Sequence, residues 1–463
     1  MALRCVIPAL AAHLVCGCHV LLPLSTPTGQ RDAAAAERPG APDTFVSEGP
    51  VDAPWEAEEP DGLTDGPTGD GPPAPVCTLY VNDSLDGDDI LTSGPGDDAN
   101  PGTAAAPLAS LLKAVTLANP GETICLDAGT YLGNTSGVVP LTKALTIAGR
   151  RWGEPACGRT GPESVVKARI EVSSAASQVT LGGLQLERSP TGVGWKGVNL
   201  GFDAPTFVLH STRVVPGAAV SSMRPGYVAT TLGAALSSIQ IRDNSFATLR
   251  NTTGTGSIWI SASVSGDTEI TGNCFDTSGD TFTVLLTGSF KEIRFGANIV
   301  TNDPLDGAGG LVLYKAVADT VLVENNVIRD APENGLWITE STIGSALTVA
   351  GNVIRGSGRK AQVCTVSPEG KCANIKLAAN TTLPKALSVQ QNDLAAPGSG
   401  LSMINATGNT LAAPCNWYGS PDPAVAAGMV QGVTVPSLLT NNTDQEPAKP
   451  GFQPDTAACV PTP

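Results

Sequence analysis

Two arginines are placed where sugar chemistry could begin. Arg329 and Arg355 each stand three residues after an asparagine of the same local pattern, Asn326-Val327-Ile328 and Asn352-Val353-Ile354. That spacing predicts that they stack in successive turns of one repeating structure, both pointing outward, with Asp276, Asp330 and Glu333 near them in stacking order. An arginine pair can hold a carboxylated sugar bidentately. Eliminative cleavage of a uronate needs a base for the C5 proton and a cation for the enolate. Two solvated arginines balanced by acids on an outer face account for the same pattern. Glycoside hydrolysis has less to work with, because no carboxylate pair set across a glycosidic bond can be picked out. His210, in the strand-like TFVLHST, reads as a core or coil-corner histidine.

A second group of residues could bind without reacting. Only 20 of the 463 residues are aromatic, yet Trp259, Tyr314 and Trp337 fall at equivalent places of successive repeats. Their apolar neighbours Ile258/Ile260, Phe282/Val284, Leu311/Leu313 and Leu336/Ile338 are expected to face a core. Parity then turns Trp259, Leu285, Val312, Tyr314 and Trp337 outward on one sheet. An aromatic stripe on a rigid sheet suits stacking against sugar rings, or a covering loop, or an oligomer interface. A third group is the loop after Val81, with Asp83, Asp86, Asp88, Asp89, Asp97, Asp98 and Asn100. These are the oxygen ligands calcium prefers, without the ordered spacing of an EF-hand; a solvated acidic turn explains them as well.

The elements that must position these residues repeat. Asn244, Asn273, Asn298, Asn326, Asn352 and Asn392 each open an Asn-x-apolar triplet, at steps of 29, 25, 28, 26 and 40 residues. Repeats of this length mean a solenoid, propeller or array. After each Asn come two further short runs with period-two alternation, such as GLWIT and ALTVA, too short and too β-branched for helices. Three strands per repeat, turned in one sense, give a parallel β-helix in which no coil is stable alone. The Asn are expected to hold corners, where the residue tolerates left-handed backbone, and to bond one another as a ladder.

Ahead of the repeats, CTLYVNDS reads as a strand. Leu108, Leu111, Leu112 and Val115 lie at helical spacing, which predicts a short helix over 107–118 stopped by Asn119-Pro120-Gly121. This block resembles the N-terminal cap of bacterial β-helix proteins through Tyr80-Val81, Gly102-Thr103, Pro107, Pro120-Gly121-Glu122-Thr123-Ile124 and Gly129-Thr130-Tyr131. The segment CNWYGSPDPA, with Leu438 beyond it, resembles their closing coil. The chain therefore resembles the right-handed parallel β-helix proteins of the pectin-lyase-like superfamily over roughly residues 77–440. The resemblance implies an all-β, right-handed parallel β-helix with three-strand coils and a short N-terminal capping helix. It assigns no function, since that fold houses lyases, hydrolases, esterases, epimerases, tailspikes and non-enzymatic surface proteins.

Composition bounds the partners. The net charge is −16, and residues 19–75 hold 11 acids against 2 bases; nucleic acid, which needs clustered Lys and Arg, is not an expected partner. Residues 1–17 read as an export signal, too short in its apolar run to span a bilayer. Val15-Cys16-Gly17-Cys18 resembles a lipoprotein box with Cys18 as the lipidated residue, against plain secretion. Residues 18–75 read as a disordered acidic Pro/Gly-rich tether, 76–440 as the β-helix domain, and 441–463 as an irregular tail. On an exported chain the eight later cysteines suggest disulfides, with Cys364–Cys372 expected first, then Cys125–Cys157 and Cys415–Cys459. The sequence thus predicts an exported or cell-surface β-helix protein of outer-membrane lipoprotein or secreted type. It is expected to touch a polysaccharide or surface glycan, and a membrane through the lipid anchor alone, with Ca²⁺ as the one cofactor suggested. The alternatives are a polysaccharide lyase or related uronate enzyme, and a structural or adhesion protein.

Overall fold

The computed structural model describes residues 72–462, apart from 85–86, 188–199, 216–227, 248–255, 277–281, 303–308, 360–369, 396–397 and 399–400. The expected signal, Cys18, the tether as far as residue 71, Asp86 and Cys364 lie outside the described residues. Gly69–Pro463 forms one compact unit. Among its described residues no helix is long and apolar enough to cross a membrane.

The unit is a parallel β-solenoid. Through most of the unit each coil adds one strand to each of three faces, and neighbouring coils pair in parallel. The first face runs through Val138–Leu141, Arg169–Val172, Leu200–Phe202 and Val228–Ala229 to Leu336–Thr339, Ile375–Leu377 and Met403–Asn405. The second runs from Thr123–Leu126 through Leu145–Gly149, Gln178–Gly182, Thr206–His210 and Ser238–Arg242. In the middle coils these two faces are joined by single bent strands, Ile258–Thr271, Val284–Gly296 and Leu311–Glu324. The third face is a nine-stranded sheet from Gly129–Leu132 to Val353–Arg355. Alternate residues of all three faces fill one core along the axis, in which Ile241, Ile270, Leu286, Leu313, Ile338 and Ile375 are fully buried.

The cap helix spans Leu111–Leu117. The Ser110 side chain accepts from the Lys113 amide, and Leu111, Ala114 and Val115 pack on the first coil. The helix starts later than the sequence suggests because Asp98 takes up the amides of Ala109 and Ser110, at 3.1 and 2.9 Å, and holds them outside it.

The asparagine ladder is present and has a seventh rung. Asn244, Asn273, Asn298, Asn326, Asn352, Asn392 and Asn416 are all at 0% exposure. The side-chain Nδ2 of each of the first six donates to Oδ1 of the next, at 2.8–3.0 Å. Its backbone N–H donates to the same oxygen. Thr212 precedes the ladder, its amide donating to Asn244 Oδ1. The left-handed backbone, however, is not on the asparagines. It is on the residue before each: Asp243, Gly272, Ala297, Asn325, Gly351, Gln391 and Cys415, with φ between 52 and 67°. The division of labour is physical. The corner residue takes the turn, and the asparagine stays free to satisfy the turned backbone.

Two irregular segments run across these corners. The loop 150–163 leaves an early coil and reaches four strands along the third sheet. The Ala156 N–H donates to Asp243 O, Arg159 donates to Ser211 O, and Cys157 is bonded to Cys274. From the other end the chain folds back. Cys459–Pro461 pairs antiparallel with Ser437–Leu439, and the Phe452 N–H donates to Gly351 O. Phe452 is buried against Leu439 and Val353. Residues 441–462 are mostly irregular and mostly exposed, anchored at the buried Gly451–Phe452.

The disulfides correct one expected pair. Cys125 is bonded not to Cys157 but to Cys77, because the Tyr80 strand lies directly beside the Cys125 strand and brings the two Cα atoms to 5.6 Å. Cys157, carried away on the crossing loop, finds Cys274. Cys415 is bonded to Cys459. Cys372 is disulfide-bonded, its partner lying outside the described residues.

Candidate functional site

The connections between strands are unequal, and the inequality marks one edge. From the second face to the third the chain needs two residues, as between Arg242 and Ser245 or Glu324 and Val327. From the third face to the first it needs six between Arg329 and Leu336 and nineteen between Arg355 and Ile375. In these coils extra length enters at the edge beside the first face, whereas in an early coil the loop 150–163 leaves between the second face and the third. In solenoids such insertions gather on one side, often the binding side.

The outward side of the first face carries the aromatic row. Register sets Ala229, Trp259, Leu285, Val312, Trp337, Lys376 and Ile404 next to one another on successive coils. The two tryptophans are three strand spacings apart, roughly 14 Å at about 4.8 Å per coil. Two residues further along each strand is a row of hydroxyls, with Ser261 paired to Thr287 and Tyr314 paired to Thr339. Tyr314 is therefore on the same outward side but in the second row. One expected core residue is misplaced. Leu286 rather than Phe282 pairs with Ile260 inside, and Phe282, ahead of the strand, is half-buried with its ring beside Gly309. A register difference of two residues keeps parity, so the outward residues are unaffected.

The row is not an open patch. Trp259, Leu285 and Trp337 are half-buried and Val312 is 2% exposed. Nε1 of Trp259 and of Trp337 is buried without a hydrogen-bond partner. A buried indole N–H normally finds an acceptor, so both rings present an unused donor. Lys376 is fully buried at the end of the row. Its Nζ donates to Lys371 O at 2.8 Å and lies 5.9 Å from the Trp337 ring centre. Gly370–Cys372 thus closes the row on that side.

Arg329 and Arg355 do stack, paired in register on the third sheet, but they are not a matched clamp. Arg355 makes a two-pronged ion pair with Asp393 on the next coil, Nε to Oδ1 at 2.9 Å and Nη2 to Oδ2, and Asp393 is almost wholly buried. Its guanidinium is committed to the fold. Asp330 is taken by Arg359 at 2.8 Å. Arg329 is exposed. Neither arginine shares a sheet with the tryptophans, so the structure does not bring the two sequence-derived sites together.

The acidic loop is held together by its own backbone. Asp127, at 0% exposure, accepts from the amides of Ile90, Leu91 and Thr92 and from the Thr92 hydroxyl. Asp98 caps the helix approach, Asp97 accepts from Ala99 N, and Asp83 accepts from Thr130 N. Asp88, with left-handed backbone, offers its carbonyl to Arg150. Among the described residues, of which Asp86 is not one, no three His, Cys, Asp or Glu converge to hold a metal ion; Asp83, Asp97 and Asp98 accept from different stretches of backbone instead. The acids are separated because each serves a different stretch of loop amides. Asp127, the one that organises the loop, was missed because it lies outside the acidic run.

His210 is outward by parity, not core, and is buried by the crossing loop. Trp152 stands edge-on to it at 4.2 Å. Only glycine fits at 182, since a Cβ there would come within 2.3 Å of the imidazole. Burial, helped by Arg242, lowers the His210 pKa from 6.5 to about 4. As pH falls from 6.5 towards 4 the unfolded chain binds this proton first, so folding stability falls through that window. The full loss is about 3 kcal/mol at 1.36 kcal/mol per unit. His210→Gln should remove that part of the slope in denaturation midpoints measured from pH 7 to 4. Identical slopes for both proteins would mean that the imidazole is solvated.

A family model described as "Protein of unknown function (DUF1565)" matches residues 94–360. No curated protein matches the chain. The matched stretch begins in the acidic loop, includes the cap helix, and takes in the aromatic row as far as Trp337. It covers more than half of the chain, and the protein belongs to this family.

Proposed function

We propose that the protein is an exported, cell-surface glycan-binding solenoid of the pectin-lyase-like type, whose ligand lies across the outward side of the first face. The observation that carries this reading is the pair Trp259 and Trp337, half-buried on one outward row, beside the long connections that precede Leu336 and Ile375. A rigid sheet supplies ring faces at fixed intervals, and binding of this kind needs no catalytic residue. The commitment of Arg355 to Asp393 counts against the uronate-cleaving alternative. The test is binding of the full chain to a glycan array, with the same protein incubated with polyuronates and followed for the absorbance of unsaturated products. Binding without turnover supports the reading; product formation sinks it. Trp337→Ala should weaken array binding at least tenfold with little change in melting temperature.

Disulfides supporting the fold suit an oxidising compartment. For anchoring we propose lipidation at Cys18. The wild type should partition into the detergent phase and Cys18→Ser into the aqueous phase. Membrane fractionation of the serine variant, with no acyl mass on the wild type, would eliminate the anchor.

A further inference from the structure

We propose that the C-terminal end of the solenoid is an interface for a second copy of this chain, joined tail to tail about a two-fold axis. The last coil is built from Val430–Gln431, Val433–Thr434 and Ser437–Leu439. Among the described residues, Val430–Gln431 pairs only with Met403–Asn405, and Val433–Thr434 only with Leu411–Ala412. Each of the two strands thus has one edge without a neighbour, the state in which a strand recruits another. Register makes Val430 and Val433 inward residues, in line with Met403 and Leu411. In earlier coils such residues are closed off: Ile375, Met403 and Leu411 are at most 1% exposed. Val430, Val433 and Val435, with Met429 beside them, are only partly buried. At this end the core itself is open in cross-section.

Three features select a second copy as the occupant. First, the other end is closed. The Tyr80 N–H donates to Gly102 O and the Leu108 N–H to Tyr80 O, so the segment 102–108 lies along the first strand, with the helix Leu111–Leu117 beside it. Val81, Ile124 and Leu126 are left with no exposure. Head-to-tail stacking is therefore blocked, and the complement of one open end is another open end. Second, residues 423–443, all of them described, carry no charged side chain, in a chain of net charge −16. A two-fold interface sets a surface against itself, so a fixed charge there would meet its like. Lys371, exposed and donating from Nζ to Gln431 at 3.4 Å, stands at the rim. Third, the same coil already accepts an antiparallel strand, since Cys459–Pro461 covers Ser437–Leu439. A two-fold axis lying across one of the open strands pairs its edge with its own copy in that same antiparallel sense. With the helix Pro423–Gly428, this end is close in size to a standard interface, which takes roughly 20–30 residues a side.

The experiment is sedimentation equilibrium of the full chain carrying Cys18→Ser, so that no lipid contributes, over a range of concentrations. Backbone hydrogen exchange is followed on the same samples. The expected result is a reversible rise from one chain mass of 46.9 kDa to two. The amides of 430–434 should exchange at least tenfold more slowly in the concentrated sample than in the dilute one. Adding Val433→Lys or Val433→Glu should weaken association at least tenfold, with melting temperatures as the folding control. An equal mixture of the two variants should recover it, because a basic end then meets an acidic one. A single chain mass at every concentration overturns the proposal. A dimer indifferent to residue 433, with unchanged exchange at 430–434, places the contact elsewhere and overturns it too. Masses growing beyond two would mean head-to-tail stacking and are equally fatal. Slow exchange at 430–434 already complete in the monomer would mean that the chain's own residues cover this end, leaving no place for a second copy. If both substitutions prevent folding, the mass and the exchange without them decide alone.

Discussion

Asn326→Ala should lower stability by roughly 3–6 kcal/mol, while Asn325→Gly, one residue earlier, should change it by less than about 0.5 kcal/mol. The contrast follows from where the two amides go. Asn326 Oδ1 accepts from both the backbone and the side chain of Asn298, each at 3.0 Å. Its Nδ2 donates to Phe295 O at 2.8 Å and to Asn352 Oδ1 at 2.9 Å. Alanine removes all four bonds at a site with no exposure. At least two N–H groups of Asn298 are then left without an acceptor, at roughly 1–3 kcal/mol each, and a void remains beside them. Asn325 is the corner residue, exposed, with φ at 57°. Glycine accepts that backbone more easily than asparagine does, and only a long 3.4 Å contact from Gln453 is lost. Denaturant midpoints for the two variants decide the matter. Equal midpoints would mean that the rungs are not coupled and that the solenoid rests on its apolar core alone.

The same pair of residues shows what the sequence could convey. The spacing of Asn-x-apolar triplets was enough for the coil, its three faces and the stacking of Arg329 on Arg355, because a solenoid repeats its physics at every turn. Parity carried the orientation of Trp259, Tyr314 and Trp337 for the same reason: inward and outward alternate whatever the exact register, and the misplacing of Phe282 by two residues did no harm. The seventh rung was missed because Asn416 sits in a different sequence context, CNWYG, although its chemistry is identical. What the repeat does not encode was not legible. Burial of Val312 and Lys376 depends on connections with no period. The turn geometry fell to the residue before each Asn, a position filled by Asp, Gly, Ala, Asn, Gln and Cys, with no shared side chain to betray it. The Cys125 partner depended on which strand lay beside which, and His210 depended on a loop arriving from 58 residues earlier to place Trp152 against it.

That loop carries the second large effect. Arg159→Met should destabilise the protein by about 3–5 kcal/mol, and the added change Glu163→Leu should return most of the loss. Arg159 and Glu163 form a two-pronged pair, Nε to Oε1 at 2.9 Å and Nη2 to Oε2 at 3.0 Å, with side-chain exposures of 5% and 4%. Arg159 also donates to the carbonyls of Glu154 and Ser211, tying the loop to a coil corner. Burial lowers the guanidinium pKa, and Glu163 opposes that shift. The pair is therefore held by mutual compensation rather than by water. Methionine leaves Glu163 buried with only the partial help of Arg213, 3.8 Å away; leucine beside it removes the stranded charge. Trp152, on the same loop and packed on His210, reports the event through its fluorescence. The Cys157–Cys274 bond closes a separation of 117 residues, and the Cys157→Ser/Cys274→Ser protein should lose about 4–5 kcal/mol by the chain-entropy estimate. If the ion pair and the bond hold one strap, their losses should fall well short of additive in the combined variant, since a strap released once cannot be released again. Additive losses, or a double variant Arg159→Met/Glu163→Leu no more stable than Arg159→Met, would show that the loop is fastened at independent points and that the buried pair is not what keeps it closed over the corners.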